Sequence, residues 1–122
     1  MAKRILIVDD EVQLVEMVKM RLESAGYEVI TAYDGEEGLN MAKKDKPDLI
    51  MLDLMLPKMD GYKVCGLLKN DALYSGIPVI MFTARAQEED LRFGKDLGAE
   101  DYLTKPFDPK ILFSKIKGLL GE

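Results

Sequence analysis

The chain has 122 residues, a formal net charge of −5 and 48% hydrophobic residues, which suits one domain with its own core over residues 1–122. It has no histidine and a single cysteine, Cys65, so it can form no internal disulfide, catalysis by histidine is excluded, and a zinc site is disfavoured. The acidic balance argues against direct nucleic-acid binding, and no apolar run suits a membrane span or a signal peptide, so we expect a cytoplasmic protein.

Short apolar runs alternate with stretches of about ten to fifteen residues that have helix-like spacing. The runs, each interpreted as a buried strand, are Ile5–Val8, Tyr27–Ala32, Leu49–Leu52, Pro78–Phe82 and Ala99–Leu103. This alternation predicts an α/β fold, (βα) repeated five times around a parallel sheet. With helices on both faces, the common strand order is 2-1-3-4-5, the doubly wound, flavodoxin-like arrangement.

Helix signals lie between the runs. The first helix has an apolar face formed by Val15, Val18, Leu22 and Ala25, and Gly26 is placed to stop it. The second helix can start at Asp34–Gly35 and is closed off by Pro47, and the third follows a turn at Asp60–Gly61 that by itself explains the glycine. The last helix begins with Asp108–Pro109, and Leu112, Ile116 and Leu119 form its apolar face.

Carboxylates follow two of the predicted strands. Asp9 and Asp10 end the first strand and Asp53 ends the third, and these strands are neighbours at the switch point, where open α/β sheets bind ligands. Taken singly, Asp9 or Asp10 suits a helix cap and Asp53 a polar residue leaving a strand. Together they repel, by about 4 kcal/mol for two charges 4 Å apart, so they must protonate, spread apart or hold a cation. An all-oxygen pocket favours Mg²⁺.

Two further strand ends complete the predicted site. The fourth strand ends at Thr83, and Lys105 follows the fifth. Either alone is unremarkable, since Thr83 could cap a helix and Lys105 could be solvated. Beside the three acids, however, a hydroxyl and an amine suit a dianionic tetrahedral group bound to one of those acids, which indicates phosphoryl transfer.

Four motifs occur at these strand ends: VDDE at 8–11, LDLMLPKMDG at 52–61, FTA at 82–84 and DYLTKPF at 101–107. With them the chain resembles, over essentially its whole length, the receiver domain of bacterial two-component response regulators, the CheY-like class. The resemblance implies a phosphoprotein of a phosphorelay signal-transduction system. It would not be an enzyme, because it catalyses only its own phosphorylation and dephosphorylation. The donor would be a phosphohistidine of a sensor histidine kinase or a histidine phosphotransfer protein.

The same resemblance implies residue roles. Asp53 would be the phosphoacceptor. Asp10, Asp53 and the backbone carbonyl of Met55 would bind Mg²⁺ directly and Asp9 through water, with Mn²⁺ as a substitute ion. Lys105 and the Thr83 hydroxyl would contact phosphoryl oxygens. The family pattern also implies a cis peptide bond between Lys105 and Pro106.

Thr83 and Tyr102 would form the switch that presents the fourth helix, fifth strand and fifth helix to a downstream protein target, although Tyr102 alone reads as a half-buried strand aromatic. The resemblance implies that Met55 and Arg85 would flank the path of the hydrolytic water, and since Met55 hydrogen-bonds water poorly we expect slow self-dephosphorylation. On that output face the charges of Arg92 and Lys95 disfavour the dimer typical of winged-helix regulators, and we expect a monomer.

Several alternatives stay open. The sequence as given favours a stand-alone receiver, but an N-terminal receiver fragment of a longer regulator, such as a transcription factor, would look the same. A haloacid dehalogenase-type phosphatase would want an aspartate at position 55, which is Met55. An FMN carrier of flavodoxin type would need an uncharged phosphate loop after the first strand, and a pseudo-receiver would have lost an acid or the lysine.

Overall fold

The computed structural model describes residues 2–84 and 88–122, and the side chains of residues 88 and 90 lie outside that description. Strands and helices alternate through this part of the chain. In order they are β1 (Arg4–Val8), α1 (Val12–Ser24), β2 (Glu28–Ala32), α2 (Gly35–Asp45), β3 (Leu49–Leu52), α3 (Gly61–Lys69), β4 (Val79–Thr83), α4 (Glu88–Asp96), β5 (Asp101–Thr104) and α5 (Pro109–Leu120).

The strands form one parallel sheet in the order β2-β1-β3-β4-β5, which confirms the predicted topology. The last residues of the strands are in register across the sheet: Val8 lies beside both Ala32 and Leu52, and Thr83 lies beside Thr104. The carboxyl ends of the strands therefore meet along one edge.

The three central strands, β1, β3 and β4, bury both of their faces, whereas the edge strands β2 and β5 are partly exposed. In β1, Ile5 and Ile7 pack with α1 and α5, whereas Leu6 and Val8 pack with α2 and α3. The residues of β3 and β4 alternate between these two faces in the same way. Leu97, just after α4, packs on the face that α2 and α3 cover. Near-continuous apolar runs are expected of parallel strands that are covered by helices on both faces.

Helices α2, α3 and α5 each begin at a capping aspartate. The sequence predicted helix starts at Asp34 and Asp108, and at Asp60 it predicted a turn rather than a cap. The carboxylates of Asp34, Asp60 and Asp108 cap α2, α3 and α5 by accepting backbone N–H groups at 2.7, 3.0 and 2.8 Å. Helix α1 differs, because its N-cap position is Glu11, whose side chain makes no cap hydrogen bond. Helix α1 thus begins without a side-chain cap.

The predicted boundaries shift by one or two residues. Tyr27 and Pro78 precede β2 and β4, and β5 begins at Asp101 rather than at Ala99. Proline has no N–H for the ladder, which suits its place just outside the strand. Ala25, which the sequence placed on the apolar face of the first helix, is instead the exposed C-cap of α1.

Among the residues that the structure describes, no helix is both long enough and apolar enough to cross a membrane.

Candidate functional site

Backbone pairing brings the acids together at the carboxyl edge of the sheet. Asp9 donates its N–H to the carbonyl of Ala32 at 3.1 Å, and Asp53 donates its N–H to Val8 at 3.0 Å, so each aspartate continues a strand ladder. One carboxylate oxygen from each of Asp9, Asp10 and Asp53 lies within 4.8 Å of the others. Asp9 and Asp53 are buried, at 0% and 4% exposure, and Asp10 is exposed. The predicted convergence is therefore confirmed.

Lys105 reaches into this cluster. Its backbone N–H donates to the carbonyl of Thr83 at 2.9 Å, which extends the β4–β5 ladder by one residue. Its ammonium donates to Asp9 at 2.6 Å, to Glu11 at 2.9 Å and to Asp53 at 3.2 Å. The Lys105 ammonium also lies over the Phe82 ring, with Nζ 5.0 Å from the ring centroid. The sequence left protonation, separation or a bound cation as ways to relieve the repulsion among the acids. The structure adds another, because the Lys105 ammonium offsets part of that repulsion.

One ammonium does not balance the cluster. Burial raises the pKa of Asp9 to about 6, and the charge of Asp53 adds to that rise, against the hydrogen bonds from Lys105 and from the Glu11 N–H. For Lys105, burial favours the neutral amine, but the hydrogen bonds to Asp9 and Glu11 and the charge of Asp53 prevail and hold its pKa above the usual value. Lys105 is therefore a permanent cation in a site that still has excess negative charge.

The remaining predicted residues line the same edge. Thr83 ends β4 and is 1% exposed. The Met55 N–H donates to the Asp53 carboxylate at 3.3 Å, while its side chain is 58% exposed. The Lys105–Pro106 peptide bond is cis. Arg85 lies outside the described residues.

Tyr102 is not part of the acid cluster. It is half-buried in β5 opposite Met81, and its ring packs over Gly94 of α4. The next helix is tied to the same strand, because Lys115 donates to Asp101 at 2.7 Å. Tyr102 thus belongs to the strand that leads to Lys105, and its ring contacts helix α4.

Gly61 does more than form the turn that the sequence indicated. A Cβ at Gly61 would lie 2.0 Å from the carbonyl oxygen of Asp53 and 2.9 Å from the Cα of Leu54, and the Gly61 N–H donates to the Leu54 carbonyl at 2.9 Å. The start of α3 therefore presses on the backbone of the acceptor residue. The Asp-Gly pair signals a turn, but it does not reveal this contact.

A second glycine supports the same loop from the other side. The Gly35 N–H donates to the carbonyl of Pro57 at 3.2 Å, and a Cβ at Gly35 would lie 1.7 Å from the carbonyl oxygen of Met59. The loop that follows Asp53 is held between the starts of α2 and α3.

The donor set fits a small hard cation. Mg²⁺ takes octahedral oxygen ligands at about 2.0–2.1 Å, so opposite ligands are about 4 Å apart. The oxygens of Asp9, Asp10 and Asp53 span a similar distance, and the site offers neither nitrogen from histidine nor sulfur. These residues could hold Mg²⁺ after small side-chain adjustments.

Comparison with known proteins agrees with this geometry. Residues 5–117 match the family described as the response regulator receiver domain. The chain is 49% identical over 120 residues to the alkaline phosphatase synthesis transcriptional regulatory protein PhoP of Bacillus subtilis, covering 98% of this chain and 49% of that protein. It is 50% identical over 117 residues to the DNA-binding dual master transcriptional regulator RpaA of Synechocystis, covering 96% and 48%. The chain thus spans about half the length of these curated relatives.

A solved structure shares the whole fold. The crystal structure of a response regulator from Chloroflexus aurantiacus superposes with a TM-score of 0.94 at 38% identity and covers 100% of both chains. The chain therefore belongs to the family of response regulator receiver domains, with the CheY-like fold.

Proposed function

We propose that Asp53 accepts a phosphoryl group from a phosphohistidine on a partner kinase or phosphotransfer protein. A carboxylate oxygen of Asp53 attacks the phosphorus, an O–P bond forms, the N–P bond breaks, and the imidazole leaves with the electron pair. The observation that carries this proposal is the buried Asp53 carboxylate at 3.2 Å from the Lys105 ammonium and beside two further acids. Such chemistry depends on positioning and charge neutralisation.

Each residue of the cluster has a task in this proposal. Asp10, Asp53 and the Met55 carbonyl would hold Mg²⁺ directly and Asp9 through water. The ion would supply positive charge for the phosphoryl oxygens. Lys105 is already charged and held at Asp53, so it can turn to a phosphoryl oxygen without taking up a proton.

The output follows from the arrangement of β4 and β5. Thr83 is buried at the site, and Tyr102 lies against α4 on the neighbouring strand. Movement of Thr83 toward a phosphoryl oxygen would favour an inward position of Tyr102, which is a shift between existing populations. The face formed by α4, β5 and α5 would then bind a downstream protein.

The surface beside the site suits a protein donor. Met17 and Met20 of α1 are 46% and 67% exposed and share a groove with Phe113 of α5. Met17 also lines a second groove that reaches Lys105. Adaptable apolar side chains on this surface can hold a kinase while its phosphohistidine approaches Asp53.

A second candidate concerns the whole protein rather than the site. The curated relatives are transcriptional regulators by name, and the chain matches about half of each. We propose that this domain can serve as the receiver of a longer transcriptional regulator, in which phosphorylation of Asp53 controls a second domain. We expect the free receiver to be a monomer, which light scattering with and without a phosphoryl mimic would test.

Phosphotransfer from a panel of labelled histidine kinases tests the main proposal. Label should pass to the wild-type chain in the presence of Mg²⁺, and Asp53→Asn should take none. Label on the Asp53→Asn variant, or Mg²⁺-independent transfer, would contradict the proposal. Multiple turnover of an aryl phosphate would instead favour the phosphatase alternative.

A further inference from the structure

Glu11 occupies a position that helix formation does not explain. It is the N-cap of α1, where Ser, Thr, Asp and Asn are preferred, yet its side chain makes no cap hydrogen bond. Its backbone N–H is bound by the Asp9 carboxylate at 2.9 Å. Its carboxylate instead accepts a 2.9 Å hydrogen bond from Lys105.

The three partners of Lys105 are not equivalent. Asp9 and Asp53 are buried, whereas the Glu11 side chain is 61% exposed. Glu11 therefore stands on the solvent side of the ammonium, at the rim of the site. A phosphodonor that approaches Asp53 from solvent meets this carboxylate before it meets the full charge of Lys105.

The negative charge of Glu11 opposes a phosphodonor in two ways. It repels a dianion at the rim, and it competes with phosphoryl oxygens for the Lys105 ammonium. A small free donor has few other interactions to offset this repulsion. A protein donor can offset it through docking contacts that lie away from the site, for example on Met17 and Met20.

Resting on the proposed function, we infer that Glu11 is a specificity-determining residue that selects against small anionic phosphodonors and in favour of phosphohistidine on a protein. It acts through Lys105 and through its charge at the rim. In the reaction with a small acyl phosphate, the Asp53 O–P bond would form and the P–O bond to the acyl group would break, releasing a carboxylate. Glu11 raises the donor concentration that this reaction needs.

The test measures the half-saturating concentration of acetyl phosphate for labelling Asp53 in the presence of Mg²⁺. Glu11→Gln keeps the size of the side chain and removes the charge, and it should lower this concentration about threefold to tenfold at low ionic strength. The difference should shrink as salt is added, because the Glu11 carboxylate is exposed. When the donor is a phosphorylated histidine kinase, Glu11→Gln should lower the half-saturating concentration of the kinase by a smaller factor than that of acetyl phosphate.

Two control variants sharpen the test. Glu11→Asp retains a negative charge at the rim, so it should lie closer to wild type than Glu11→Gln does. Glu23→Gln removes an equal charge from an exposed position of the same helix, and it should shift the half-saturating concentration by less than about twofold. Circular dichroism would verify that each variant is folded.

The outcomes separate the two proposals. If wild type takes label on Asp53 but Glu11→Gln is unchanged, or if Glu23→Gln shifts as much, the inference about Glu11 is overturned and the proposed function stands. A wild-type chain that takes no label on Asp53 from any donor overturns both.

Discussion

Lys105 donates a 2.6 Å hydrogen bond to the carboxylate of Asp9, a residue 96 positions earlier in the chain. The two side chains come from the ends of β5 and β1, and the Asp9 side chain is fully buried. A buried pair of this kind gains little net stability, because desolvation offsets the attraction. Here the neighbouring Asp53 adds repulsion, so the pair lies in a site that is prepared for additional positive charge.

The pH dependence of stability should report this imbalance. In the folded chain burial raises the pKa of Asp9 from its ordinary value of 3.8 to about 6, so the folded state binds more protons than the unfolded state between these values. The associated stability is complete below about pH 4 and is lost as the pH rises through about 6.

Asp9→Asn cannot ionise, so without metal it should exceed wild type at pH 8 by up to about 3 kcal/mol, and near pH 4 the two should converge. Urea denaturation in EDTA from pH 4 to pH 8 measures this, with Glu23→Gln as an exposed acid-to-amide control. A difference between Asp9→Asn and wild type that does not change with pH would disprove the assignment.

The lifetime of the phosphorylated state should depend on Met55. Its exposed thioether follows the acceptor by two residues and accepts hydrogen bonds only weakly, so it orients an attacking water poorly. Met55→Asn supplies a donor and an acceptor, and we expect phosphate loss to accelerate about threefold to tenfold. The decay of labelled protein after removal of the donor measures this rate. An unchanged or slower decay would count against the role of Met55.

Substitution of Gly61 should disturb the acceptor backbone. Gly61→Ala places a methyl group 2.0 Å from the Asp53 carbonyl oxygen, and only a backbone shift can relieve that contact. We expect a loss of about 3 kcal/mol or more in the free energy of unfolding and weaker Mg²⁺ binding.

The matched control is Gly118→Ala in α5, where no atom lies within 4 Å of the added Cβ. That variant should gain up to about 1 kcal/mol through helix propensity. Chemical denaturation and Mg²⁺ titration of both variants provide the comparison, and equal effects of the two substitutions would refute the close approach at Gly61.

The ion pair between Lys69 and Glu100 lies at the amino ends of the strands, opposite the acid cluster. The Lys69 ammonium donates to Glu100 and to the carbonyls of Ser75 and Ile77, and the Glu100 carboxylate also accepts the Val79 N–H at 2.8 Å. Lys69 thereby joins the end of α3 to the connections before β4 and β5.

Lys69→Met keeps most of the apolar stem but removes the ammonium that Glu100, Ser75 and Ile77 share, and we expect a loss of about 2–4 kcal/mol in the free energy of unfolding. Lys63→Met on the exposed side of the same helix should change it by less than about 0.5 kcal/mol. Thermal and urea unfolding would measure both, and similar stabilities of the two variants would exclude a structural role for Lys69.

The exposed side chains of Met17 and Met20 on α1 should affect the rate of phosphotransfer only when the donor is a protein. Alanine at Met17 and Met20 removes apolar contact area and should slow transfer from subsaturating kinase about threefold to tenfold. Labelling by acetyl phosphate should be unchanged, because a small donor needs no docking surface. Leu73→Ala is the control, since Leu73 is 71% exposed in the connection after α3. Equal slowing with both donors would place the defect in the site itself.

The sequence by itself determined the alternation of strands and helices, the helix starts at Asp34 and Asp108, the turn at Asp60–Gly61, and the placement of acids at the ends of β1 and β3. These features depend on local periodicity and on the rule that carboxyl ends of parallel strands share an edge, so a linear pattern is enough to predict them.

Only the tertiary structure decided that Lys105 is shared by Asp9, Glu11 and Asp53, that Gly61 touches the acceptor backbone, and that Lys69 joins α3 to Glu100. Each of these contacts joins elements that are distant in sequence or depends on the angle at which a helix meets a strand. Side-chain reach and close packing set such contacts, and neither quantity has a period that a sequence displays.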